Sequence, residues 1–448
     1  MKTLVLIDSD ALSRALFSEC LAGEGWRVFE AEEGESGLEL ILEHQPAAVI
    51  CDLRAPKRNG FKVCQLIRAQ PQLNSTRVVL TGVSRFNSDR ETALAMGANR
   101  YLVKPIAPSE LLAALDQCRD QEDSAGTKPA VTGPTLIRFW GVRGSIPTPG
   151  DKTKIFGGNT SCVEVRVGDQ IIILDAGSGI RGLGQRLMDE FRAKSLDVTL
   201  LITHTHWDHI QGFPFFVPAY NPKVNVRIFG YGSAVHSLRE ALTEQMKSAF
   251  FPVTLSQMGR HVIFDELSED EFEIGAVKVR SIQAHHPGIC RGYRLKTPSG
   301  DIVYMPDHEA YERHEIEQQK CSGKASQLGL DHARAEDEKM IDFIREADVL
   351  ITDTQYDAAE YPSRLGWGHT CVDDAVDLAL RAGVKQLFLF HHDPDHDDNK
   401  MNELAVAAEE RVAAAGASMA VSAAREGEKF DLVRALSPAD RNSESYSR

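Results

Sequence analysis

The sequence predicts an α/β chain of two parts, a doubly wound parallel-sheet domain followed by a layered α/β sandwich. Two observations predict it. Over residues 1–118 five short apolar runs alternate with amphipathic stretches ended by Gly or Pro, the pattern of strands joined by crossover helices. From residue 135 the chain turns β-rich, with Gly-containing turns first and helical patterns later, as in LIRFWGVRGS, SCVEVRVGDQIIILDAG and DVTLLITHTH. A length of 448 residues leaves room for two to three domains, each with its own core.

In the first part the runs are TLVLI (3–7), WRVFEA (26–31), AAVIC (47–51), RVVLTG (77–82) and RYLVK (100–104). Between them ALSRALFSECLAGEG and ESGLELILEHQP have helical spacing. The opening apolar run breaks at Asp8, too early for a signal or membrane segment, so it reads as the first strand. Functional residues of such sheets gather at the carboxyl ends of strands. Asp8, Asp52, Thr81 and Lys104 all stand there, Asp52 with its side chain expected to be exposed. A carboxylate that accepts a phosphoryl group needs acidic neighbours or a metal, a hydroxyl to sense the phosphate, and a lysine to offset its charge.

DLRAPKRNGF (52–61), LTG (80–82) and YLVKP (101–105) make residues 1–118 similar to the receiver domain of two-component response regulators. The resemblance implies phosphorylation at Asp52, Mg²⁺ held at an acidic pocket that includes Asp8, and a switch formed by Thr81, Tyr101 and Lys104. It also implies a cognate sensor histidine kinase or phosphotransfer protein as partner, and it allows a homodimer. Ser9 departs from it, standing where the family has the second acid, the direct Mg²⁺ ligand; a hydroxyl binds a hard cation less well than a carboxylate. Asp10, one residue on, is the candidate substitute. A receiver that docks or dimerises without phosphorylation is the alternative.

Residues 119–134 (RDQEDSAGTKPAVTGP) are polar, without periodicity, and read as a linker; residues 437–448 read as a disordered tail. The 8 cysteines are scattered without a C-x-x-C pair, which suits reduced thiols and a cytoplasmic protein. A net charge of −15 argues against bulk nucleic-acid binding, and nothing in the chain suggests a membrane partner.

In the second part (135–436) the strand VTLLI runs into His204-Thr-His206-Trp-Asp208-His209. Histidines at i and i+2 leaving a strand can bind one cation, and the Asp-His pair beyond can serve a second. The donor set suits Zn²⁺, with Mn²⁺ or Fe²⁺ as alternatives. Further strand ends supply His285-His286, Asp307 and His391-His392, and together these point to a two-metal centre.

HTHWDH, with FWGVRGSIPTPG (139–150), FGGNTSCVEV (156–165), LDAGSGIRGLG (174–184) and HWDHIQGFPFF (206–216), resembles the metallo-β-lactamase fold, an αββα sandwich. The resemblance is narrowest to its branch of ribonuclease Z, cyclic-nucleotide phosphodiesterases and the cyclic-phosphate hydrolase of phosphonate catabolism. It implies His204, His206 and His286 at one metal, Asp208, His209 and His391 (or His392) at the other, and Asp307 between them. It further implies Asp353 of ITDTQYD and His369 of GWGHT as a carboxylate-oriented general acid, with Asp208 also in the catalytic set. For His369 the competing role is a cap on the helix beginning near Val372. Asp175 is expected to orient the metal loop from behind. The Gly157–Thr160 loop reads either as close to the site or as a tight turn, and Arg143 as a salt-bridged structural residue rather than a phosphate ligand. The charged segment 309–346 reads as helical, a lid or interface. The expected function is hydrolysis of a small or cyclic phosphodiester. Thioester or lactone hydrolysis on the same centre, or a non-catalytic signalling adaptor, are the alternatives.

Overall fold

The computed structural model describes residues 2–82, 90, 93, 94, 96–117, 134–192, 194–232, 236–259 and 261–433. Pro134 apart, the expected linker 119–134 lies outside the described residues, as does all of the expected tail 437–448. The chain splits into two compact units, Met1–Ala130 and Val131–Arg448.

The first unit holds a five-stranded sheet in the order Trp26–Ala31, Lys2–Ile7, Ala48–Asp52, Arg77–Gly82, Arg100–Val103, with every pairing parallel. This is the doubly wound sheet the sequence predicts. Alternate residues of one strand feed opposite faces: Val5 and Ile7 pack with the helix Gly60–Arg68, and Leu4 and Leu6 with Ala11–Gly23 and Pro108–Gln117. Both faces being covered explains the near-continuous apolar runs.

The second unit has two seven-stranded sheets. One runs Val262–Glu266, Val224–Gly230, Leu196–Leu201, Gln170–Leu174, Cys162–Val167, Thr135–Gly141, Lys429–Leu432. The other runs Glu271–Ile274, Val277–Gln283, Arg291–Thr297, Gly300–Met305, Val349–Asp353, Gln386–Phe390, Ala420–Ala423. Their inner faces share one core, in which Ile172, Leu174 and Leu201 meet Leu295, Tyr304, Ile351 and Phe388. The alternating partners Ile173 and Leu200 point outward, toward the helix Ile180–Phe191. Outside the other sheet lie Gln327–Ile344, Val372–Ala382 and Asp398–Ala414. The architecture is therefore the αββα sandwich.

Segment 309–346 is helical, as expected, in two pieces, Tyr311–Ser322 and Gln327–Ile344. The first has Ala310 at its N-cap, with no capping side chain. The carboxylate of Asp337 on the second takes over, accepting the N–H groups of Tyr311 and Glu312 at 3.0 and 2.9 Å. Burial pushes this carboxyl up to about 6, against the pull of those two backbone donors. The folded state therefore holds its proton more tightly than the unfolded chain, so this contribution to stability is fullest below pH ~4 and is lost as pH rises toward ~6. An Asp337→Asn variant is expected to show a flatter dependence of the unfolding midpoint on pH across that window. Parallel calorimetric curves for the two proteins would remove the assignment.

Candidate functional site

Strand ends of both sheets converge on one point. His204 follows Leu196–Leu201, Asp175 follows Gln170–Leu174, and His286, Asp307, Asp353 and His391 lie at the ends of four strands of the second sheet. Donor atoms gather in clusters that could hold metal ions, among them His204, His206 and His286 in one and Asp208, His209 and His391 in another. Asp307 stands between them. Its Oδ1 is 3.0 Å from His209 Nε2 and 3.4 Å from His391 Nε2, and its Oδ2 is 3.7 Å from both His204 Nε2 and His286 Nε2.

These spacings suit cations. Four ligands about 2.1 Å from a tetrahedral metal lie ~3.4 Å from one another. Here His206 Nδ1 and His286 Nε2 are 2.9 Å apart, His209 and His391 Nε2 3.3 Å, and His391 Nε2 and Asp208 Oδ2 3.0 Å. His204 Nε2 is buried with no hydrogen-bond partner, an orphaned donor or acceptor that a metal would satisfy. The electrostatics agree. Burial pushes His204 well below its ordinary pKa, the neutral form that ligates. Against burial, His209, His391 and His204 hold Asp307 well below the usual carboxylate range.

Further hydrogen bonds hold the side chains of these groups in place. Asp175 Oδ2 bonds His209 Nδ1 at 2.8 Å and accepts the Tyr304 hydroxyl at 2.9 Å, while Oδ1 accepts the Thr203 N–H. His391 Nδ1 bonds Gln355 Oε1 at 3.0 Å, His286 Nδ1 bonds the Gly368 carbonyl at 2.9 Å, and Ser145 N–H donates to Asp208 Oδ2 at 2.8 Å. Sequence reasoning passed over Gln355, Tyr304, Ser145 and Glu309. Close approach explains two glycines: a Cβ on Gly144 would come within 2.5 Å of the His391 ring, and one on Gly368 (φ +87°) within 2.3 Å of His286.

The histidine doublets separate. His285 stacks on Tyr311 and bonds the Glu309 carbonyl, and His392 Nε2 bonds the Ala424 carbonyl at 2.9 Å; neither joins the two ligand groups. His369 Nδ1 bonds Asp353 Oδ2 at 2.7 Å, and its ring stacks on His391. Cys371, not His369, stands at the N-cap of Val372–Ala382. Burial pushes Asp353 well up and His369 down from their ordinary values. Arg143 is wholly buried and structural, but it donates to the carbonyls of Gly157, Asp393 and His396 rather than forming the expected salt bridge. In the glycine loop Asn159 N–H is taken by Glu426 and Thr160 N–H by Ser178 Oγ, so the tight-turn reading holds.

In the first unit Asp8, Asp52 and Lys104 meet: Lys104 Nζ donates to Asp8 Oδ2 at 2.7 Å and also to Asp52 Oδ2. Asp52 was expected to be exposed and is instead buried, as the last residue of its strand beneath that lysine. Thr81 is buried on the adjacent strand Arg77–Gly82 and Tyr101 on the next one, Arg100–Val103. Asp10 does not replace the missing acid. It is exposed, and its carboxylate caps Ala11–Gly23 by accepting from Leu12 N and Ser13 Oγ, both at 3.0 Å. With Ser9 in that place, the carboxylates that a Mg²⁺ ion there would meet are Asp8 and Asp52. Ser9→Asp is expected to tighten Mg²⁺ binding by about tenfold or more, roughly 1.4 kcal/mol. Titration calorimetry checks this, and equal affinities would show the pocket to be complete without the acid.

An Asp/Lys pocket at the strand ends of a doubly wound sheet and a buried His/Asp cluster on an αββα sandwich are the features of a receiver domain followed by a domain of the metallo-β-lactamase fold. Comparison with known proteins agrees. The family model for the response regulator receiver domain matches residues 4–116, and that for the beta-lactamase superfamily domain matches residues 170–392. The chain therefore carries a response regulator receiver domain followed by a domain of the metallo-beta-lactamase fold. Among curated proteins it is 34% identical over 136 residues to "Probable transcriptional regulator ycf27" of Porphyridium aerugineum, covering 30% of this chain and 55% of that one. It is 26% identical over 294 residues to ribonuclease Z of Thermoplasma acidophilum, covering 59% of this chain and 88% of that one. The chain thus spans about half the length of the ycf27 regulators it matches. Among solved structures, the metallo-beta-lactamase fold protein YhfI of Bacillus subtilis aligns with 19% identity and TM-score 0.47, over 67% of this chain and all of that one. A diphosphatase from the PhnP family aligns with 15% identity and TM-score 0.44, over 67% and 99%. Among the described residues no helix is long and apolar enough to cross a membrane.

Proposed function

We propose that the second domain is a binuclear metal-dependent phosphodiesterase acting on small or cyclic diesters, with the receiver as its input. The observation that carries this reading is the buried Asp353–His369 pair, 2.7 Å apart and stacked against His391 at the edge of the ligand cluster. Hydrolysis of a diester expels an alkoxide, which needs a proton; a thioester or a lactam makes a different demand at that position. Divalent cations held by the two ligand groups would activate water and offset charge on the transferring phosphoryl group. Asp307 and Asp208 fix the ligand spacing, Asp175 sets the tautomer of His209, and Asp353 turns the other ring nitrogen of His369, Nε2, free for the leaving oxygen. Beside the predicted ligands, four large apolar side chains stand open to solvent, Trp207, Trp367, Ile146 and Ile289, with Thr205 and Ser145 exposed among them. A small organic diester suits that rim better than a nucleic-acid backbone, which is tracked by lysine and arginine.

The test is metal analysis joined to a substrate panel: bis(p-nitrophenyl) phosphate, cyclic nucleotides, a short RNA and an acyl thioester. Turnover of diesters with bound metal is expected, and activity on the thioester alone would overturn the reading. A histidine kinase or phosphotransfer protein is the proposed donor to Asp52.

A further inference from the structure

Glu309 belongs to neither ligand group, yet it is a carboxylate only 2% exposed. Its Oε1 accepts the Tyr361 hydroxyl at 2.6 Å and the Gly366 N–H at 3.0 Å, and its Oε2 accepts the Gly368 N–H at 3.2 Å. His314 Nδ1 lies 3.2 Å away. A buried carboxylate is costly unless donors saturate it. Three of these donors come from one segment, 361–368, which leads directly into His369. Two are amides of glycines at φ +80° and +87°, positions with no side chain to hold the loop themselves. The segment ends in the two contacts that matter to the site: Gly368 O with His286 Nδ1, and His369 Nδ1 with Asp353.

We propose that Glu309 is a positioning residue for His369, clamping the Gly366–Gly368 backbone from the core side so that the imidazole is delivered onto Asp353. The inference rests on the reading of His369 as proton donor. A loop built from Gly-Trp-Gly has many accessible conformations, and proton transfer tolerates little misplacement. Three hydrogen bonds to one rigid, buried acceptor remove that freedom. Tyr361, itself buried, braces the carboxylate from the beginning of the same loop.

The test uses the full chain, metal-loaded, as wild type, Glu309→Gln and Tyr361→Phe, on methyl p-nitrophenyl phosphate and methyl phenyl phosphate. p-Nitrophenolate departs with little help, whereas phenolate leans more on a proton donor. With metal content unchanged, Glu309→Gln is expected to lower turnover of the phenyl ester about tenfold more than that of the nitrophenyl ester. Tyr361→Phe, which removes one donor, should shift the same ratio in the same direction by a smaller factor. An equal fall on both esters, or a fall that tracks lost metal, overturns the proposal and assigns the carboxylate to the fold or to His286. Amide hydrogen exchange across 361–369 is followed in parallel and should quicken in Glu309→Gln; unaltered exchange also overturns the clamp. If wild type cleaves neither ester, the phosphodiesterase reading fails, while the exchange measurement still decides whether the loop is clamped.

Discussion

An Asp307→Ala variant is expected to lose metal and activity together, from about two divalent ions per chain to fewer than one, with turnover down at least ~10³-fold. Asp307 is the residue whose two oxygens face different ligand groups, Oδ1 toward His209 and His391 and Oδ2 toward His204 and His286. Removing it leaves six ligands in two sets of three with no anion between them. The imidazoles of the two groups would then be drawn together only by cations that repel one another. His391→Ala should be milder, emptying the group it shares with Asp208 and His209 while sparing the other. His392→Ala is the internal control, because its Nε2 bonds the Ala424 carbonyl and faces away. Elemental analysis of purified protein reads all three. Full metal occupancy in Asp307→Ala, or loss in His392→Ala equal to that in His391→Ala, would show the ligand assignment to be wrong.

The parts of this architecture legible in the sequence were those with short-range signatures. The five strands of the receiver lie within one or two residues of the apolar runs, because burial on both faces leaves little room for other residue types. HTHWDH reads as metal-binding because four ligands fall within one strand end and one turn. Choosing within the doublets was harder. His285 and His286 are equally apolar-flanked, and only the fold shows that one stacks on Tyr311 while the other faces His206. Glu309 and Gln355 act through partners 52–59 and 36 residues away, and no local pattern marks such contacts. Asp52 was misjudged for a related reason. Strand ends are commonly solvated, but here a lysine 52 residues on closes over the carboxylate. Asp10, read in the sequence as the candidate substitute for the missing acid, is the N-cap of its helix.

His369→Ala is expected to lower turnover of a diester with a poor leaving group by about 10²–10⁴, the range for loss of a general acid, with bound metal unchanged. The ring lies within reach of His286 and Asp307, but its Nδ1 is engaged elsewhere. Its Nδ1 is committed to Asp353 at 2.7 Å and lies 3.9 Å from Asp307 Oδ2, beyond the 3.0–3.7 Å spacings that Asp307 keeps with the ligand histidines. In the proposed mechanism Nε2 is the nitrogen left for the leaving oxygen, because Nδ1 is taken by Asp353. Asp353→Asn attacks the same function from behind. Asp353 Oδ1 also accepts the Gln355 N–H and Oδ2 the His308 N–H, so an amide nitrogen at either place would oppose a donor with a donor. A loss of ~10²-fold is expected there, again steeper for methyl phenyl phosphate than for its nitrophenyl analogue. Groups that act as one unit are not additive. The double variant should accordingly be little worse than His369→Ala alone. If the two losses instead multiply, Asp353 and His369 act independently, and the paired general acid on which the phosphodiesterase reading leans would have to be given up.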